Sequence, residues 1–163
     1  MERIHGVVSR DVLAAEPGLR FLQGLIQGRH PAPPFSKATG IYLAEAQENR
    51  VVFKGIPTDA FMNPIGTIHG GWTSAILDSA MACAVHTTLD IGQGYTSVEM
   101  KLNFVRPIVP ELGEVVCEGV VVHRGGTLAT SEGRLFDAKG RLLAHGTETC
   151  MIFEVAARAS RAA

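Results

Sequence analysis

Apolar and polar positions divide the chain into two helical segments and six strand-like segments. The second helical segment, Gly70–Leu89, is apolar almost all round, so we expect it to be buried against a sheet. A shorter helix is predicted from about Leu19, because Pro17 and Gly18 interrupt the helical spacing before it. The proline-rich stretch His30–Pro34 cannot continue a helix and predicts an extended connector.

The other apolar segments have the alternation and the turn residues of antiparallel strands. Two of them precede the long helix and predict a hairpin, and the last three of the four that follow it predict a meander. The six predicted strands are Gly40–Ala44, Val51–Gly55, Tyr95–Val105, Glu114–His123, Leu128–Asp137 and Leu142–Phe153. Helices segregated from a mostly antiparallel sheet define an α+β pattern, with a strongly curved sheet around one central helix.

Alternation in the third predicted strand indicates which of its side chains face the helix. Its apolar members share one parity: Val98, Met100, Leu102 and Phe104. A strand places alternate residues on opposite faces, so this parity favours Thr96 over Ser97 as a helix-facing hydroxyl.

A length of 163 residues fits one domain. Hydrophobic residues make up 46% and charged residues 19% of the chain, which favours a packed core over disorder. We divide the chain into an N-terminal helix and connector (1–38), a core domain (39–155) and an alanine-rich flexible tail (156–163).

Charge and motif content exclude several classes of protein. A net charge of −1 without runs of like charge argues against a nucleic-acid partner. The sequence has no 18-residue uncharged apolar run and no secretory N-terminus, so we expect no membrane partner and a cytoplasmic location. Cys83, Cys117 and Cys150 are widely separated, which predicts buried reduced thiols. No metal-ligand spacing or nucleotide-binding glycine motif is present, so metal and nucleotide-cofactor enzymes are disfavoured.

Asp78 lies in the middle of the apolar helix. Burial of an unpaired carboxylate lowers the stability of the folded state, so a carboxylate at this position calls for a structural or functional explanation. In one interpretation Asp78 faces solvent or bonds a hydroxyl such as Ser74 or Ser79. In the other it is a general base or nucleophile in a water-poor cleft, where desolvation raises its pKa.

His69, Gly70 and Gly71 open the same helix. Free N–H groups at a helix N-terminus carry the positive end of the helix dipole, and glycine lets a ligand come close. These properties suit an oxyanion site, although an ordinary flexible helix start would have the same sequence.

The spacing N-x5-H-G-G-x6-D describes Asn63, His69-Gly70-Gly71 and Asp78. Two shorter motifs follow it along the chain: the segment S-V-E-M-K, which begins at Ser97, and the pair Arg106-Pro107. With these motifs the sequence resembles the PaaI-like hotdog-fold acyl-CoA thioesterases. The resemblance covers most of the chain, from the first predicted strand to the last. It implies a hotdog domain that hydrolyses an acyl-CoA thioester without a metal or an organic cofactor.

The resemblance also implies roles for the motif residues. Gly70 would donate its backbone N–H to the thioester carbonyl, and Gly71 would allow the close approach. Asp78 would activate water or attack the carbonyl directly, and the family leaves this choice open. Asn63 would position the nucleophile or the substrate, and His69 would support the loop or the carbonyl.

Two further sites follow from the resemblance. Ser97 matches a position that often holds a hydroxyl near the nucleophile, although strand parity favours Thr96. The turn at Arg124 and Gly125 resembles the loop that meets the nucleotide end of CoA, where a guanidinium can pair with phosphate. A plain hairpin turn is the alternative for Arg124.

Two other functions are compatible with this type of fold. One is a dehydratase or hydratase acting on (R)-hydroxyacyl thioesters, for which His69 is the only nearby histidine. The other is a non-catalytic acyl-CoA-binding sensor, which would lack the carboxylate at Asp78. We expect a homodimer or a dimer-of-dimers tetramer, because a monomer would leave a sheet edge exposed. The sequence does not decide between an aromatic and a medium-chain acyl group in the substrate.

Overall fold

The structure, a computed structural model, describes residues 4–155 as helices packed on a single antiparallel sheet. The α-helices are α1 (Arg10–Leu13), α2 (Gly18–Gln27), α3 (Pro34–Thr39) and α4 (Gly70–His86). The strands are β1 (Ile41–Gln47), β2 (Arg50–Gly55), β3 (Gln93–Phe104), β4 (Val115–Arg124), β5 (Leu128–Phe136) and β6 (Leu142–Glu154). Their order in the sheet is β1-β2-β4-β5-β6-β3, and every neighbouring pair is antiparallel. The predicted α+β hotdog architecture, with its hairpin and meander, is confirmed.

α4 is the centre of the hydrophobic core. It packs against β2, β3, β4, β5 and β6, so side chains on almost every side of the helix are covered by the sheet. Its fully buried apolar residues are Ile76, Leu77, Ala80, Met81, Ala84 and Val85. Removing so much apolar surface from water is the main stabilising contribution that this helix can make.

Two strand glycines allow the sheet to approach α4 closely. A Cβ on Gly119 in β4 would collide with the backbone carbonyl oxygen of Ala80. A Cβ on Gly133 in β5 would lie 2.7 Å from Cγ of Met81. These positions therefore favour glycine for close packing, not for a special backbone conformation.

The long helix ends at His86, three residues before the predicted end at Leu89. Thr87 and Thr88 turn their hydroxyls onto the last helical carbonyls, those of Ala84 and Val85, at 2.6 and 2.7 Å. Hydroxyls that bond to the backbone in this way compete with helical hydrogen bonds, so the last residues form a turn instead.

The N-terminal segment contains more helix than predicted. α2 begins at Gly18, close to the predicted start, and ends at the left-handed Gly28. The predicted extended connector is followed by α3, which the apolar pattern did not indicate. Pro34 occupies the first position of α3, where its fixed φ and missing N–H are tolerated.

A β-bulge interrupts β3 between Ser97 and Glu99. The bulge inserts Val98 as an extra residue, so the alternation of the strand shifts by one position. Val98 is 60% exposed and Phe104, near the edge at the end of the strand, is 59% exposed. The prediction that both are buried against the helix is therefore wrong, whereas Met100 and Leu102, on the same predicted row, do pack on the core.

The predicted tail, residues 156–163, lies outside the described residues. Within residues 4–155, no helix combines the length and the apolarity needed to cross a membrane. The three cysteines are free thiols; Cys117 and Cys150 are buried as predicted, whereas Cys83 is partly exposed.

The close approach of β4 to α4 predicts a specific loss of stability. Gly119→Ala should destabilise the protein by about 1–3 kcal/mol, because the new methyl group overpacks the helix backbone. Gly126→Ala is the matched control, since no atom lies within 4 Å of a Cβ at that position. Urea denaturation at one protein concentration measures both variants, and equal midpoints would contradict this view of the core.

Candidate active site

Two cavities border α4, and each contains one of the predicted catalytic residues. The Asp78 cavity has a volume of about 370 Å³ and is bounded by Asp78 and Cys83 of α4 and by Tyr95 and Ser97 of β3. Much of the rest of its wall is apolar and comes from α2, the connector, α3 and the first two strands: Leu22, Leu25, Ala32, Phe35, Ile41, Leu43 and Phe53. Thr96 of β3 also lines this cavity. The Gly70 cavity, about 270 Å³, lies at the start of α4 against the segment that follows β3.

Asp78 is half-buried on α4 and has few hydrogen-bond donors around it. Ser74 and Ser79, the expected alternative partners, donate instead to the carbonyls of Gly70 and Ala75 within the helix. Within residues 4–155, the Asp78 carboxyl accepts one side-chain hydrogen bond, a long one of 3.5 Å from the Ser97 hydroxyl. Burial raises the pKa of Asp78 above its usual value, and the Ser97 hydroxyl opposes this effect.

The β-bulge brings Ser97 to Asp78. Before the bulge, the parity of β3 places Tyr95 and Ser97 on the helix side, and after it Met100 and Leu102 occupy that side. Thr96 would face the helix only in a strand with unbroken alternation. The hydroxyl that faces the carboxyl is therefore that of Ser97, the residue that the motif indicated.

The start of α4 is organised by its N-cap residue, His69. Its Nδ1 accepts a hydrogen bond of 2.8 Å from the Gly71 N–H, so that donor is occupied. Within residues 4–155, the Gly70 N–H donates to no acceptor. Gly70 consequently presents a free N–H at the positive end of the helix dipole, and His69 fixes the geometry of this turn.

Asn63 shapes the loop that precedes α4. Its side-chain oxygen accepts from the N–H groups of Ile65 and Thr67, and its side-chain NH₂ donates to the Thr67 hydroxyl at 2.8 Å. These bonds hold the loop through which the chain enters the helix. A direct contact of Asn63 with the substrate stays a prediction.

Arg124 is not brought near Asp78 or Gly70, and it lines neither cavity. Its guanidinium donates to the Thr88 hydroxyl and to the Gln93 side chain, both at 3.1 Å, and to the carbonyl of Gly125. These bonds tie the β4–β5 turn to the end of α4. A contact of Arg124 or Gly125 with a CoA phosphate stays a prediction, and for Arg124 it would compete with these bonds.

Gly70 and Asp78 are eight residues apart on one continuous helix. At 1.5 Å per residue, this separates them by about 12 Å along the axis. They also border different cavities. Within one protomer, the free N–H and the carboxyl therefore cannot act on the same small group.

Sequence reasoning missed one buried carboxyl near the site. Glu148 lies on β6 and is 1% exposed. Glu148 alternates along β6 with Gly146 and Cys150, which are also buried. A carboxylate among the buried alternate positions of a predicted strand could have identified it from the sequence. Within residues 4–155, no group of three His, Cys, Asp or Glu side chains is arranged to hold a metal ion.

Comparison with known proteins gives a consistent answer. Residues 65–144 match the family model described as "Thioesterase superfamily". Acyl-coenzyme A thioesterase 13 from Homo sapiens is 32% identical over 131 residues, which cover 78% of this chain and 91% of the relative. Acyl-coenzyme A thioesterase 13 from Mus musculus is 28% identical over 111 residues, covering 67% of this chain and 77% of the relative.

Solved structures agree in fold. A phenylacetic acid degradation-related protein from Ralstonia eutropha superposes with a TM-score of 0.73 at 28% identity, covering 80% of this chain and 98% of that chain. The PaaI protein of E. coli superposes with a TM-score of 0.71 at 17% identity, covering 83% of this chain and 94% of that chain. The chain belongs to the thioesterase superfamily, and the resemblance to PaaI-like hotdog proteins is confirmed.

The Ser97–Asp78 hydrogen bond predicts a change in titration. Ser97→Ala should raise the pKa of Asp78, because it removes the donor that stabilises the ionised carboxylate. Thr96→Ala is the matched control, since it removes a neighbouring hydroxyl that does not bond to Asp78. Titration of the Asp78 carboxyl carbon by NMR measures the midpoint, and equal shifts in the two variants would show that Ser97 has no special role.

Proposed function

We propose that this protein hydrolyses acyl-CoA thioesters to a free acid and CoA, with Asp78 as the general base or the nucleophile. The observation that carries the proposal is the environment of Asp78. A half-buried carboxyl with a raised pKa and one weak hydroxyl donor borders a largely apolar cavity. A carboxylate so sparingly hydrogen-bonded retains its basicity for proton transfer.

The chemistry requires few groups. With Asp78 as base, the carboxylate takes a proton from water, and the resulting hydroxide adds to the thioester carbonyl carbon. The Gly70 N–H stabilises the oxyanion that forms. The C–S bond then breaks, CoA leaves as a thiolate, and the proton held by Asp78 neutralises that thiolate. With Asp78 as nucleophile, an acyl-aspartyl anhydride forms first and water hydrolyses it.

The distance between Gly70 and Asp78 supports a shared site. Both groups must lie within about 3 Å of their reacting atoms, and one helix separates them by about 12 Å. Two α4 helices running antiparallel across a two-fold axis would bring Gly70 of one protomer beside Asp78 of the other. We therefore propose a homodimer with two composite sites, alone or as half of a tetramer.

The acyl group would occupy the Asp78 cavity. Its volume falls at the lower end of small-molecule pockets, which span about 300–1,000 Å³, and its wall is mainly apolar. α2 and α3 contribute to this wall through Leu22, Leu25 and Phe35. The N-terminal segment would thus help to select the acyl group.

The alternative functions have less support. A dehydratase or hydratase would need His69 to exchange protons with the substrate. Its Nδ1 accepts from the Gly71 N–H, so Nε2 would have to do so, but His69 lines neither of the two cavities. A non-catalytic sensor would have no use for a carboxyl with a raised pKa in its acyl cavity. Neither alternative accounts for Asp78 as well as thioester hydrolysis does.

Asp78→Asn tests the proposed catalytic group. Turnover of octanoyl-CoA and phenylacetyl-CoA should fall by at least about 100-fold, because the amide keeps the volume but cannot accept the proton. Stability should hold or rise, since the buried charge is removed. A thiol reagent that detects free CoA measures the rate.

Asp90→Asn is the matched control, an exposed carboxyl just beyond α4 that should be dispensable. A fully active Asp78→Asn variant, or one that is inactive only because it unfolds, would show that Asp78 is structural. Release of no CoA by the unaltered protein would favour the sensor, and a hydrated or dehydrated product would favour the lyase.

Mixing two inactive variants tests the shared site. Gly70→Pro removes the N–H, and the change suits this position because it is the first of the helix and His69 before it has ψ 138°. When Gly70→Pro chains and Asp78→Asn chains exchange at random, half of the dimers contain one chain of each kind. Each of these mixed dimers has one intact site and one site in which both groups are lost. Activity should therefore return to about a quarter of the unaltered level.

Native mass spectrometry verifies the exchange in that experiment. If the two folded variants exchange protomers and no activity returns, Gly70 and Asp78 do not act in one site across a dimer.

A further inference from the structure

Beside Asp78, the sheet contributes a second carboxyl that the proposed mechanism has not used. The Glu148 side chain is almost completely buried on β6. Its Oε1 has one weak contact, with Sγ of Cys150 at 3.5 Å, and its Oε2 has no hydrogen-bond partner within residues 4–155. Ser131, the register partner of Glu148 on β5, has a buried hydroxyl that is equally unpartnered in this part of the chain.

An ionised carboxylate without donors is poorly tolerated at such a position. Burial is the main reason that the pKa of Glu148 is raised to about 7. The negative charge of Asp78 raises it further, and the Ser97 hydroxyl lowers it. The Asp78 carboxyl is half-buried and borders the cavity, whereas Glu148 is almost completely buried, so the negative charge is better tolerated on Asp78.

The other groups that act on Glu148 remain uncharged near neutral pH. Cys83 of α4 and Cys150 of β6 both have pKa values raised to about 12 by burial. Tyr95 of β3 has a pKa well above its usual value for the same reason. Ser131, on β5, does not titrate. Within the described part of the chain, Asp78 is therefore the charged group that acts on Glu148.

Ser97 links the two carboxyls. It bonds Asp78 at 3.5 Å, and its register partner on β6 is Cys150, whose Sγ contacts Glu148. The Ser97 hydroxyl lowers the pKa of both carboxyls. A hydroxyl has only one proton to donate, although it can accept hydrogen bonds at the same time. The protonation state of Glu148 therefore decides toward which carboxyl the Ser97 proton turns.

We propose that Glu148 is a positioning residue for Asp78, an inference that rests on the proposed thioester hydrolysis. The neutral Glu148 carboxyl donates a hydrogen bond to Ser97 Oγ, and Ser97 donates its proton to the ionised Asp78. When Glu148 ionises, Ser97 turns toward it, so Asp78 is no longer held in position. The second negative charge in the cleft also opposes the oxyanion that forms on the substrate. While Glu148 is neutral, the two carboxyls together hold one negative charge, and that charge is on Asp78.

Glu148→Gln and Glu148→Ala test this role with octanoyl-CoA as the probe. The unaltered enzyme should show a decrease in kcat centred near pH 7, where Glu148 ionises. Glu148→Gln should lose that decrease and retain most of the kcat at pH 6, because its amide NH₂ can donate to Ser97 but cannot ionise. Glu148→Ala should lower kcat about tenfold at every pH with little change in KM, because Ser97 is no longer oriented.

The matched control is Glu132→Gln, a carboxyl on β5 that pairs with Arg134 away from the site and should leave the pH profile unaltered. A Glu148→Gln profile that keeps the decrease near pH 7, or a Glu148→Ala enzyme with the unaltered kcat, would overturn the proposal.

Two readouts do not require activity. Asp78→Asn should lower the NMR titration midpoint of Glu148, because it removes the neighbouring charge. The unaltered protein should lose stability relative to Glu148→Gln as pH rises from about 4.5 to about 7, since the folded state binds the extra proton in that window. If no variant releases CoA, the proposed function fails. If Glu148 is ionised throughout pH 5–8, the positioning role fails whether or not the enzyme is active.

Discussion

The burial of α4 within the sheet is the constraint on which the rest of the structure depends. A helix that is apolar almost all round must be covered on most sides, and five strands cover it. Close packing requires glycines where β4 and β5 meet the helix backbone and Met81. The same desolvation that stabilises the core raises the pKa of Asp78 and Glu148, which lie beside the helix–sheet contact.

The helix that supplies both proposed catalytic groups also keeps them apart. Its rigidity maintains the Gly70 N–H and the Asp78 carboxyl about 12 Å apart along the axis. If both serve one thioester, the function depends on assembly, and a second copy of the chain must complete each site. The N-terminal helices, which the family motif does not include, then provide the outer wall of the acyl cavity.

Periodicity predicted the elements of this fold well. All six strands and the buried helix occur within a few residues of their predicted bounds, because alternation and long apolar runs are properties of the local sequence. The spacing of the helix glycines and Asp78 identified the family for the same reason.

Features that depend on pairing between distant segments were missed. The bulge at Val98 arises from the register between β3 and β6, and it reverses the parity that favoured Thr96. α3 follows a proline-rich stretch whose prolines permit a helix start as well as a connector. The bonds of Arg124 to Thr88 and Gln93 join segments more than 30 residues apart.

A crystal structure with a non-hydrolysable acyl-CoA analogue, in which a methylene group replaces the thioester sulfur, tests the central claim most directly. We expect the carbonyl oxygen to lie about 3 Å from the Gly70 N–H of one protomer. The carbonyl carbon should face Asp78 of the other protomer, and the acyl chain should enter the cavity beside Phe35. A carbonyl bound away from Asp78, or contacted by Gly70 and Asp78 of the same chain, would contradict it.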